Sequence, residues 1–140
     1  NGGETVYEFI AGLKETVRGV KAANESAFGQ MGERLEASVA ALEEASGWLL
    51  RTLPENRNAA LAGATPFLRL FGIACGGTYL AKGALSAMRG AHAHGTQPEA
   101  KVLEARHFAE NLMGETEGLK HAVCSEHETV SRAETVLGLG

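Results

Sequence analysis

Residues 61–88 read LAGATPFLRLFGIACGGTYLAKGALSAM, and only Arg69 and Lys82 in this run are ionised at neutral pH. Leu68, Phe71 and Cys75 share one side of a helical wheel, while Phe67, Leu70, Ile73 and Ala74 fill much of the rest. A helix that is apolar nearly all round is a buried helix. Gly72, Gly76, Gly77 and Gly83 each lower helix propensity by about 1 kcal/mol relative to alanine. A segment that keeps them recovers that free energy through close backbone packing. The stretch therefore predicts a central helix with others pressed against it, and Gly72-x3-Gly76-Gly77 marks a groove where another helix approaches. The same glycines do not make a phosphate loop, because no strand precedes them and no Lys-Ser/Thr follows.

Three further helices are predicted around this one. The first covers residues 4–23, with Val6, Phe9, Ile10, Leu13, Val17 and Val20 forming one apolar stripe. The second covers residues 28–53, where Met31, Leu35, Val39, Leu42, Ser46, Leu49 and Leu53 step by threes and fours until Pro54 stops the helix. That near-heptad spacing belongs to helices packed at shallow angles in a bundle. The third runs from about residue 55 to Gly90. Within it Pro66 either follows a Thr65 cap and starts a new helix, or kinks one long helix by removing the hydrogen bond to the Ala62 carbonyl. The kink is the preferred reading, because residues 59–64 are already helical in character. After a polar loop at 91–97, a fourth helix spans residues 98–137 on a stripe that includes Val102, Ala105, Ala109, Leu112, Thr116, Leu119 and Val123. At 1.5 Å per residue it reaches about 60 Å, more than a compact domain needs. A bend is expected at the polar run around Glu126. The fold class is thus all-α: an up-down bundle of about four long helices, in one domain over residues 1–140, with a buried, Pro-bent third helix.

Composition limits the function. Hydrophobic residues are 44% and charged residues 21% of the 140, ordinary for a globular domain. A formal charge of −4 argues against sequence-independent nucleic-acid binding, which needs a concentrated basic surface. The weakly charged run is interrupted by Pro66, Arg69, Lys82 and glycines, so no membrane span is expected. Two cysteines far apart, Cys75 and Cys124, fit a reducing cytoplasmic compartment better than a disulfide framework.

Candidate chemistry is sparse. His121, Cys124 and His127 have the spacing H-x2-C-x2-H, but on one helix they sweep about 120° of arc and converge poorly on one ion, so metal ligation is not expected. His92 and His94 sit in the polar loop and are read as surface histidines. Cys75 is expected to be an inert thiol in an apolar helix. The pairs Glu43–Glu44 and Glu115/Glu117 face apart or outward and are read as solvated. Arg69 either snorkels to the surface or, as favoured here, joins a structural ion pair, with Glu43, Glu44, Glu104 and Glu110 as candidate partners. On that reading Arg69→Ala lowers stability markedly.

Residues 60–72 (ALAGATPFLRLFG), followed by Gly76-Gly77 and Leu80-Ala81, closely resemble the C-terminal extension domain of acyl-CoA dehydrogenases, in the branch that includes 3-methylmercaptopropionyl-CoA dehydrogenase. Gly2-Gly3, Trp48-Leu49-Leu50 and His107-Phe108-Ala109-Glu110 add to the likeness, which extends over nearly the whole chain. The resemblance implies a parent flavoenzyme that oxidises an acyl-CoA to the 2-enoyl-CoA, passing a hydride to FAD. Its catalytic glutamate and most flavin contacts belong to preceding domains, and no residue here takes over that role. The implied partners are those catalytic domains and further subunits of a homo-oligomer. The residues read as structural, from the proline bend, the ion pair and the glycine groove, are Pro66, Arg69, Gly72, Gly76 and Gly77. An alternative is a free-standing module that self-associates through its long fourth helix.

Overall fold

The structure is a computed structural model that describes residues 2–90, 97–125 and 128–138, with backbone alone at 128–131 and 134. His92, His94, Glu126 and His127 lie outside the described residues or their side chains. The first two helices follow most of their stripes, but Phe9 and Leu53, which the spacing places on them, are exposed. In α1 (Gly2–Ala23) Ile10, Val17 and Val20 are buried. In α2 (Met31–Thr52) Met31, Leu35, Val39, Leu42 and Ser46 are buried. Lys14 pairs with Glu43 at 2.5 Å and Lys21 pairs with Glu36, so the two helices run antiparallel.

α2 begins three residues later than expected. Phe28 is instead buried in a 3-10 turn (Ser26–Phe28). The chain then passes through Gly29 at φ 55, a left-handed conformation that disfavours any side chain. A Cβ at Gly29 would also stand 2.7 Å from Arg106 Cζ.

The third predicted helix is two. α3 (Arg57–Ala62) is capped by Asn56, whose side chain accepts from the Ala59 amide at 3.1 Å. α4 (Ala64–Met88) begins one residue after Gly63. The interruption therefore falls at Gly63, and Pro66 sits in the first turn of α4. There its missing N–H removes no bond that a helix start would have made. Gly63 is needed for another reason, since a Cβ there would be 3.0 Å from the Val123 carbonyl oxygen. The close approach of a distant backbone sets the break, and the proline accommodates it.

α4 touches α1, α2, α5 and α6, so it is the central element. Leu70, Ala74, Gly77, Thr78, Ala81 and Ala84 face inward and are buried, while Phe67 and Ile73 are half-buried. Its outer side is open, with Leu68 and Tyr79 exposed. Phe9 contacts Phe71 and Gly19 lies against Leu85, so α1 and α4 run parallel.

The fourth predicted helix is interrupted at Leu112. α5 (Pro98–Asn111) gives way to a 3-10 turn (Met113–Glu115), then α6 (Thr116–Val123), and α7 (Glu128–Leu137) follows. Leu112 is exposed, and Met113 takes its inward place with 2% of its surface accessible. Three oxygens account for the break. The Met113 carbonyl lies 2.8 Å from Thr116 Oγ1 and 3.2 Å from Ser38 Oγ, and the two hydroxyls are 2.9 Å apart. Both hydroxyls are buried. They share two protons among three contacts, and each contact helps satisfy a group that water cannot reach.

The central glycines are not equivalent. A Cβ at Gly77 would lie 2.6 Å from Met113 Cε and 3.2 Å from Phe108 Cε1, whereas Gly72 has nothing within 4 Å. Gly77→Ala is therefore expected to lower the unfolding free energy by about 1–2 kcal/mol through overpacking. Gly72→Ala should raise it by about 0.5–1 kcal/mol through helix propensity. Urea denaturation of the two variants measures both, and equal effects would dispose of the distinction.

Candidate functional site

The conspicuous sequence positions gather on α4, and the structure assigns them different surroundings. Pro66 is half-buried in the first turn. Gly77 is packed under Met113, a Cβ at Gly76 would lie 3.5 Å from Phe108 Cζ, and Gly72 opens to the outside. Arg69 donates to Glu115 Oε2 at 2.8 Å, with the two side chains 60% and 45% exposed. The partner is thus none of Glu43, Glu44, Glu104 or Glu110. It comes from the 3-10 turn, which the break at Leu112 brings alongside α4. An exposed pair is screened by water and ordered at an entropic cost, so the expected marked loss of stability in Arg69→Ala gives way to a small one.

Two of the unmatched candidates are paired across helices instead. Glu43 meets Lys14, and Glu44 meets Lys120 at 3.2 Å. Lys120 also holds Glu117 at 2.5 Å within α6, while its contact with Glu44 ties α6 to α2. Hydrogen bonding to Glu117 and then Glu44 pushes the Lys120 ammonium up, and its hydrogen bond to Glu117 holds that carboxyl below the usual range. Glu110 is likewise held low, first by the Arg106 hydrogen bond at 2.6 Å. These are structural arrangements. A general acid or base needs a pKa tuned toward the working pH, and these carboxyls move away from it.

Neither thiol is activated. Burial pushes the Cys75 thiol up, and burial followed by the charge of Glu44 does the same to Cys124. A thiol in that state is a poor nucleophile at neutral pH. His121 is exposed and stands 3.7 Å from Glu117. Among the described residues no three His, Cys, Asp or Glu side chains come together as a metal site.

Two shallow grooves flank α4. One of about 280 Å³, against α5, is lined by Tyr79, Lys82, Gly83, Ser86, Lys101 and Glu104. The other, of about 560 Å³ against α1, includes Gly12, Gly19, Lys82, Ser86 and Arg89. Both are open to solvent, and charged side chains line each. Among the described residues no helix is long and apolar enough to cross a membrane.

Sequence reasoning missed Gly63, Met113 and Ser38. Each is ordinary within its own helix and acquires its role only from a residue more than 35 positions away. The residues described thus make an α-helical domain in which Lys14–Glu43, Lys21–Glu36, Arg69–Glu115 and Lys120–Glu44 join neighbouring elements. The sequence model of the family described as acetyl-CoA dehydrogenase C-terminal like matches residues 5–134, and the chain belongs to that family. No curated protein and no solved structure matches the chain.

Two outcomes test these assignments. Arg69→Ala should change the unfolding free energy by no more than about 1 kcal/mol, read from the urea midpoint. Glu110 and Glu117 have folded pKa values below the ordinary 4.5, so they bind protons less readily folded than unfolded. Their contribution is present above about pH 4.5 and is lost as pH falls through the lower folded values. The double variant Glu110→Gln/Glu117→Gln should flatten the acid limb of stability against pH; an unaltered limb would contradict the assignment.

Proposed function

We propose that this chain is the non-catalytic C-terminal helical domain of an acyl-CoA dehydrogenase-like flavoprotein, in the branch that includes 3-methylmercaptopropionyl-CoA dehydrogenase. The observation that carries the reading is the family match across residues 5–134. The stretch at 60–77, which favours that branch, supports it. The parent oxidises acyl-CoA to 2-enoyl-CoA with FAD bound in preceding domains. This domain serves packing, subunit assembly or closure of one side of the catalytic cleft.

The side-chain chemistry agrees with such a role. The carboxylates of α2, α5 and α6 described above are committed to ion pairs, and both thiols are held protonated by burial. The free-standing alternative draws on the unbroken three-four spacing and excess length of residues 98–137, and that segment is divided into α5, α6 and α7.

The test is turnover. The purified chain, mixed with FAD, an acyl-CoA and an artificial electron acceptor, should neither retain flavin through gel filtration nor reduce the acceptor. The reading frame that encodes it should also specify a flavin-binding acyl-CoA dehydrogenase unit upstream. Acceptor reduction by the chain alone would overturn the non-catalytic assignment.

A further inference from the structure

Three of the chain's lysines meet a carboxylate: Lys14 meets Glu43, Lys21 meets Glu36, and Lys120 meets Glu44 and Glu117. The other two, Lys82 of α4 and Lys101 of α5, have no ion-pair partner among the described residues, and they line the same groove. The packing of α5 along α4 brings them together. Gly76 faces Phe108, and further along α4 Gly83 and Ser86 share the groove with Lys101. Lys101 is half-buried. Burial disfavours an ammonium that has no counter-charge, and this chain supplies one to each of its other lysines except Lys82.

The surrounding charges do not cancel the pair. Glu104, one turn after Lys101, is the carboxylate that lines the groove, and it bonds to neither lysine. Lys82 and Ser86 also line the groove against α1, which adds Arg89, unpaired among the described residues, and Arg18, matched by Glu15. Glu25 and Glu33 line a separate groove with Lys21. Glu99 precedes Lys101 by two residues, about 200° round α5. The sequence at 91–96, between α4 and α5, contains no acidic residue. The two grooves thus hold four cations and two carboxylates, in a chain whose net charge is −4.

We propose that the groove between α4 and α5 binds a small phosphate ester. Lys82 and Lys101 approach the phosphate from the two helices, as point charges of the kind that hold phosphate elsewhere. The Ser86 hydroxyl, which has no hydrogen-bond partner among the described residues, adds a donor at the same groove. Gly83 keeps the space open, since a Cβ there would meet nothing within 4 Å. Tyr79, 78% exposed, and Leu80 supply an apolar end. An exposed aromatic ring stacks on a flat organic group such as a nucleobase, so the ligand is an ester with such a group and not the bare anion. The volume, about 280 Å³, is near the lower end for small-molecule sites and suits a ligand held partly in solvent. This site adds to the packing role described above and does not depend on it.

The experiment is a titration of the 15N-labelled chain with ADP and, separately, with pyrophosphate, followed by amide NMR. ADP should shift the amides of Gly83, Ser86 and Lys101 saturably, with half-saturation below about 1 mM. Lys82→Gln and Lys101→Gln should each weaken that binding about tenfold, the loss of one charge-assisted contact. Arg57→Gln removes the same charge at the opposite end of α4 and should change nothing. Gly83→Leu fills the groove without altering charge and should abolish the shifts. Tyr79→Ala should weaken ADP binding and leave pyrophosphate binding as it was. The dispersion of each amide spectrum reports that the variant is folded. No saturable shift up to about 10 mM ADP overturns the proposal. So does binding that Arg57→Gln weakens as much as the lysine variants do, which is general attraction to charge. Pyrophosphate binding as tightly as ADP overturns the assignment of an organic group to Tyr79.

Discussion

Met113 is the residue through which the helices are locked together. Its side chain fills the notch left by Gly77 on α4 beside Phe108 of α5. Its carbonyl takes hydroxyl contacts from Ser38 of α2 and Thr116 of α6. A carbonyl inside an unbroken α-helix points along the axis to an amide four residues on and has little room for side-chain donors. The 3-10 turn at Met113–Glu115 re-aims it. The same turn rotates the inward face by one position, so that Met113 enters the core in place of Leu112. It also carries Glu115 to Arg69.

Because the core is joined there by shape and by buried hydroxyls, the surface ion pairs carry little of the stability. Lys14–Glu43, Lys21–Glu36 and Arg69–Glu115 are all substantially exposed, and water competes for each. They align neighbouring helices more than they hold them. The carboxylates so engaged are withdrawn from acid–base chemistry. The face left over, along the outside of α4, is the part of the central helix that this chain does not use for its own core.

Much of the architecture could be read from residue spacing. Ile10, Val17 and Val20, and Met31, Leu35, Val39 and Leu42, are buried where the stripes place them. Each of these helices packs one uninterrupted face on one core, so a local period survives folding. The glycine-rich segment was legible as the central helix for a related reason, its near-absence of charge. Its outer face misled, because the exposed Leu68 and Tyr79 look the same in sequence as apolar residues of the interior. The metal-like spacing of His121 and Cys124 places one side chain in water and the other half-buried.

Taken alone, the sequence determined that the chain is helical, that the stretch 61–88 supplies its axis, and roughly where the first helices begin. Those properties depend on neighbours within a few turns, through periodicity, capping and proline. Only the tertiary structure decided that Gly63 and Leu112 are the breaks, that Gly77 and not Gly72 is the packed glycine, and that Glu115 answers Arg69. Each of those depends on the distance between atoms far apart along the chain, set by how α2, α4 and α6 come together around Met113, and no local pattern of residues encodes such a distance.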